Sequence, residues 1–511
     1  MNTFLSKTDN RIFRLLKILL AACLATPLLA WSGVLFPYTA PKAFAFRVLV
    51  EIAAVFYLYL ALKYPNFRPS FFSCHCETRI AGRSNPVDGG NISGLPRRPA
   101  LTGLLATTAA VLIFLAINFL AALFGIDFYT SFWGNLERMG GIWGLLHFVV
   151  WFFMLTSVFK MDFSSPLCKR PASLSLQRGE GAGACPPSLR SGVSGRADFK
   201  NQSFCYKLMV FSVAVSVSIS LLAIGQHFFS LGDLLPQVNR VYSTLGNAGV
   251  LGSYLIFNIF LAGYLAITSL RAQRSNLVES ELNTGLPRRA ASFERSSAPR
   301  NDKTAFIVYC LLLTVNCFAL LLSGTRGAML GLLAGVIIFC AFLFFTPLFK
   351  GGEGGFKEFK KWFLTFLVLV FILFFSLFLF RDSSFVQNNS VLSRLTHISL
   401  SNATAQSRLI LWQDAWRAWQ ARPLLGFGPA NFEAAVGPFL SPRLIGFEAY
   451  AFDRAHNFIF DYGATTGWLG LISYLALFGA AGWALIKNLL PEPFDSAQGK
   501  LESKADIAAD P

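Results

Sequence analysis

The sequence predicts an all-α polytopic integral membrane protein of about ten transmembrane helices, with one long outer loop before the last helix. Three observations predict it. Of 511 residues, 54% are hydrophobic and 53 are Phe, only 14% are charged, and mean hydropathy is +0.52, a composition that excludes an ordinary soluble domain. Apolar runs of membrane length recur along the chain. The formal charge of +17 sits mostly in the links between those runs, so it reads as a topology signal and not as a nucleic-acid surface.

The first run follows the basic start MNTFLSKTDNRIFRLLK and extends to about Phe36. It is long and a second span follows after a short turn, so it reads as a membrane helix and not as a cleavable signal peptide. The second span covers 48–62; Arg47 and Glu51 lie four apart near its start, and the carboxylate is expected to pair with Arg47 or Lys42. Further runs cover 101–124, 141–159, 206–228, 250–270, 304–322, 328–348 and 362–380, and the last covers 468–486. The expected organisation is therefore a membrane domain over 1–381, an outer loop over 382–467, the last helix, and a disordered cytoplasmic tail over 487–511.

Basic residues accumulate in alternate links: Arg79, Arg83, Arg97 and Arg98 in one, Lys169, Arg178 and Lys200 in the next, Arg271, Arg288 and Lys303 in a third, Lys350 and Lys360 in a fourth. The positive-inside rule then puts both termini in the cytoplasm and the loop after Arg381 outside. Low-complexity insertions are expected near 67–99, 164–199 and 271–303, and two of them share the ends RSN and GLPRR at one spacing. Their composition is that of tolerated surface insertions, with anionic-lipid contact as the alternative. Cys74-His75-Cys76 lacks the second ligand pair a zinc site needs, and the other cysteines suggest no disulfide framework.

The candidate chemistry lies on the outer side. SGTRG interrupts an apolar stretch and leaves Arg326 at the tip of a tight helical hairpin, where a guanidinium either snorkels to the interface or grips an anion. Leu409, Trp412, Trp416 and Trp419 recur at helical spacing, so 407–421 reads as an amphipathic helix with a Trp face at headgroup level, carrying Arg408. Pro423 ends that helix, and Gly426, Gly428 and Pro429 make a turn and not a nucleotide loop. His456, followed by Asn457, stands at the junction between loop and span, where a base could reach a lipid headgroup. His397 has no comparable surroundings.

The order SGTRG, SRLILWQDAW, PLLGFGPANF, then HN and GWLG resembles the O-antigen ligase and O-antigen polymerase family of bacterial envelope glycosyltransferases. RVYSTLGNAGVLGSYL and FPYTAPKAFAFRVLVEI are similar to further parts of that family's pattern. The resemblance implies a metal-independent, inverting transfer, needing no cofactor, of a glycan from an undecaprenyl diphosphate carrier at the periplasmic face of the inner membrane. The acceptor would be a lipid A core sugar in a ligase, another repeat unit in a polymerase, or a protein hydroxyl in an oligosaccharyltransferase. Arg326 and Arg408 would hold the diphosphate, with Arg240 as a third substrate-binding residue; His456 would activate the acceptor and Asn457 would orient His456 or the sugar. Relatives commonly continue past the His-bearing segment with more spans than the single one here, so an inactive truncated member is one alternative reading. A flippase or transporter of lipid-linked oligosaccharide is the other.

Overall fold

The computed structural model describes residues 5–68, 99–163, 204–284, 301–345, 379–388, 403–446 and 452–489, with residues 376, 393 and 396. All secondary structure among them is helical. The insertion 164–199, nearly all of 67–99, residues 285–300 of the third insertion, Cys74-His75-Cys76, His397, the tail after 489 and nearly all of the run 362–380 lie outside the described residues, whereas 271–284 and 301–303, expected as low-complexity insertion, are helical.

Helix α1 spans Lys7–Ala22 and ends in a tighter 3-10 segment, Cys23–Leu28, that contains Pro27. The remaining helices are α2 (Ala40–Lys63), α3 (Pro99–Leu123), α4 (Phe128–Trp133), α5 (Ile142–Phe163), α6 (Phe204–Phe228), α7 (Ala248–Thr284), α8 (Asn301–Leu322), α9 (Arg326–Phe345), α10 (Ser384–Asn388), α11 (Ala403–Ala421), α12 (Phe432–Val436) and α13 (Phe458–Leu489). Seven of these, α2, α3, α5, α6, α7, α8 and α13, are long and apolar enough to cross a membrane. The expected count of ten is therefore not reached among the described residues. The first expected span is a 16-residue helix followed by the 3-10 segment, while the run 328–348 begins as the 20-residue helix α9. A hydropathy run has no means of registering where Pro or a turn shortens the helix inside it.

The long helices are apolar on all sides, as expected where lipid replaces water. On α2, Val48, Val55 and Leu62 recur every seven residues as an exposed stripe, while Val50, Ala53, Tyr57 and Leu60 pack inward on α1 and α5. A second core joins α6 to α9 through Ile219, Leu251, Leu255, Leu320 and Ala328. There Asn316 of α8 accepts from Ser220 Oγ at 2.7 Å and donates to Ser216 Oγ at 3.1 Å, both on α6. Such interhelical polar bonds are what holds helices together when lipid is as apolar as their side chains.

Asp9 marks one end of the bundle. Its buried carboxylate accepts from Lys63 Nζ at 2.8 Å, Ser6 Oγ at 2.6 Å, Tyr64 Oη at 2.6 Å and Tyr59 Oη at 3.0 Å, and these bonds, the one from Lys63 above all, hold it well below the usual carboxylate range. The opposite end carries the loop 403–457, which has a core of its own: Leu411, Ala415 and Ala418 of α11 pack on Phe432, Val436, Leu444, Ala455 and Ala464.

Candidate active site

The site is built around a break in α13. Gly467 has φ 64° and ψ −165°, outside the helical region. In an unbroken helix Tyr462 and Tyr474 would sit about 18 Å apart along the axis, yet their rings stack at 4.4 Å, so the chain bends sharply there. Phe114 of α3 meets both rings at 6.1 Å. The break falls at the residue before Trp468, where the sequence places the start of the last span; the nine residues 458–466 are helical as well, which their mixed polarity hides from a hydropathy window.

The turn after α11 completes the backbone bonding that the break interrupts. Trp468 and Leu469 donate to the carbonyls of Pro423 (2.8 Å) and Leu424 (3.2 Å), while Phe427 and Gly428 donate to those of Ala464 (3.0 Å) and Thr465 (2.7 Å). This close approach needs bare backbone on both sides: a Cβ on Gly426 would stand 2.4 Å from the Thr465 carbonyl carbon, and one on Gly467 would stand 2.3 Å from Leu424 O. Asn431 fastens the same turn to α4 and the residue before it, donating to Asp127 O and Ser131 Oγ at 3.0 Å each. The glycines expected to make a turn do so, with φ 63° at Gly426 and 101° at Gly428.

His456 stands just ahead of α13, exposed, with φ 54°. Asn457 is the cap of that helix: its Oδ1 accepts from the Ile459 amide at 3.0 Å. Ala455 before them is fully buried, its carbonyl bonded by Trp412 Nε1 at 2.8 Å. Arg408 is exposed one helical turn from Trp412, so α11 presents Arg408 and the anchor of the His456 segment on one stripe. The Trp face expected on this helix is half turned inward: Trp419 is 2% exposed and packs on Trp468 at 4.3 Å, while Trp416 is 41% exposed. Together with Trp412 and Leu471 they line a cleft of about 720 Å³ between α11 and α13.

The other sequence-derived residues gather around the hairpin between α8 and α9. Arg240 donates from Nε to Ser323 O at 3.1 Å, three residues before Arg326, so those two arginines belong to one locality. Thr325 Oγ1 ties the hairpin to Ala248 O at 2.9 Å. The hairpin and His456 regions are joined contact by contact. Lys42 of α2 donates to Thr244 O on the hairpin side; Arg47, one to two turns along, donates to Met139 O at 2.7 Å; Arg138 beside it pairs with Asp453, three residues before His456. The 134–141 turn and the start of α2 thus bridge the two groups at one end of the bundle.

The Arg138–Asp453 pair spans 315 residues, and no local spacing reports it. Glu51 interacts with the Arg47 charge, as expected, but its hydrogen-bond partner is His147 and not Arg47 or Lys42. Its Oε1 lies 3.0 Å from His147 Nε2, whose Nδ1 donates to Trp143 O at 2.7 Å, while Arg47 and Lys42 are engaged on backbone carbonyls. Among the described residues no group of three or more His, Cys, Asp or Glu side chains is placed to hold a metal ion.

A helical multi-pass protein with an arginine hairpin, a Trp-bearing loop helix and an exposed histidine ahead of a broken last helix is the class these features define. The stretch 309–475 matches the family model described as O-antigen ligase. It contains Arg326, Arg408, His456 and Asn457, and Arg240 lies before it. No curated protein matches the chain.

Proposed function

We propose that the chain transfers a glycan from an undecaprenyl diphosphate carrier to an acceptor hydroxyl, with inversion, at the outer face of the cytoplasmic membrane, both termini being cytoplasmic. The acceptor oxygen attacks the anomeric carbon as the bond to the diphosphate breaks. The hydroxyl proton goes to His456, and the diphosphate leaves with the bonding pair. Charge grows on the leaving group, so Arg326 and Arg408, with Arg240 beside Arg326, have most to contribute in the transition state. The observation that carries this reading is the exposed His456 next to Ala455, whose carbonyl is held by Trp412 one turn of α11 from Arg408, with the Arg240–Arg326 hairpin linked to the same segment through α2 and the 134–141 turn. Asn457, as the cap of α13, supports His456 through the backbone.

Proteoliposomes loaded with lipid-diphosphate donor carrying a labelled glycan test it directly. Wild-type protein is expected to move label onto the acceptor, and Arg326→Ala to lower kcat/KM by roughly 100-fold, the scale seen when one donor to a developing oxyanion is lost. Transfer unchanged by Arg326→Ala contradicts the role of the hairpin. Translocation of the donor without transfer supports the transporter reading instead.

A further inference from the structure

The backbone at His456 is unusual: a φ of 54° is sparsely populated for a residue with a side chain and persists only where the surroundings over-determine it. Here they act from both sides. Upstream, the Ala455 N–H donates to Asp461 Oδ1 at 2.6 Å and the Ala455 carbonyl accepts from Trp412 Nε1 at 2.8 Å. Downstream, Asn457 caps the helix, and the Asp461 amide donates to Asn457 O at 2.9 Å. Trp412 is seated in turn by stacking on Phe460, with centroids 5.6 Å apart and planes at 21°. The peptide entering His456 and the residue following it are both pinned, which fixes the direction of the Cα–Cβ bond that carries the imidazole.

We infer that Asp461 and Trp412 are positioning residues that aim His456 through the two polar groups of Ala455. This rests on the reading of His456 as the base. The titratable and charged groups facing Asp461 are Arg454, His456 and Asp453, but the part assigned to its carboxylate is that of a fixed acceptor for the Ala455 amide, which a carboxamide oxygen can also fill. Misplacing a base by about 1 Å lowers rate on the order of 100-fold without touching substrate affinity.

The test is steady-state transfer by Trp412→Phe, Asp461→Ala and Asp461→Asn, with Trp483→Phe as control, an exposed residue of α13 outside the cleft lining. Trp412→Phe keeps an aromatic ring facing Phe460 and removes the indole N–H together with part of the ring. Trp412→Phe and Asp461→Ala are expected to lower kcat about 10- to 100-fold with donor KM within about twofold of wild type. Asp461→Asn is expected to recover to within about threefold, and Trp483→Phe to match wild type. Wild-type kcat in Trp412→Phe and Asp461→Ala, with His456→Gly inactive, overturns the positioning role. A fully active His456→Gly overturns the underlying reading of the base instead. Should Asp461→Ala not fold, Trp412→Phe decides.

Discussion

Replacing His456 by glycine is expected to stabilise the protein while removing transfer. The left-handed conformation at φ 54° costs an L-residue about 1–2 kcal/mol. Glycine adopts it freely, at the expense of a larger unfolded-state entropy that returns about 0.5–1 kcal/mol. The exposed imidazole takes little packing with it, so the net expectation is a gain of roughly 1 kcal/mol. Loss of a general base lowers turnover about 10²- to 10⁴-fold. His456→Asn is expected to follow glycine in activity, because Asn tolerates the left-handed region but takes up no proton. Thermal unfolding in detergent and labelled-glycan transfer on the same preparation check both halves. A residue kept for structure alone would show the reverse pairing, with stability lost and activity retained. Stability given up at the site of chemistry is the trade that marks functional strain.

Gly467→Ala is expected to be the most damaging glycine substitution in α13. At φ 64° and ψ −165° the backbone is in a region that is essentially glycine's alone, with a cost of about 1–3 kcal/mol for other residues. The added Cβ would also meet Leu424 O at 2.3 Å and Pro423 O at 2.6 Å, both backbone atoms held by the bonds across the break. Relief would require moving the turn after α11, and with it the anchor of His456, so a loss of about 3 kcal/mol or more is expected. Gly479→Ala on the same helix is the matched control. Nothing lies within 4 Å of its Cβ, and helix propensity alone predicts a change of up to about 1 kcal/mol toward stability. Unfolding midpoints of the two variants differing by less than their error would show that the break bears no load.

The membrane character and the hairpin at Arg326 were legible because both are local: long apolar runs, and one charge interrupting them. The count of spans was less so. Pro27 and the 3-10 turn shorten the first apolar run without changing its hydropathy. The loop helix showed its Trp spacing, but spacing gives a face and not the partner of that face, and Trp419 turns in against α13. Of the site, His456 and the arginines stood out as isolated polar groups. What holds them did not, because Ala455 is bonded by Trp412 from 43 residues away and Arg138 reaches Asp453 from the far side of the sequence. Asp461 falls in the stretch read as outer loop; that it serves the Ala455 amide depends on the turn at His456, which no pattern of residue types specifies.

The claim on which the mechanism stands is that the arginine hairpin and the histidine segment open to the same, outer side of the membrane. Cysteines introduced at Gly327 and Gly437, each with open space around the added side chain, test it in spheroplasts with a membrane-impermeant maleimide. Labelling of both Gly327→Cys and Gly437→Cys in intact spheroplasts is the predicted result. Labelling of Gly437→Cys alone, with Gly327→Cys reached only after lysis, would put Arg326 and His456 on opposite sides and contradict it.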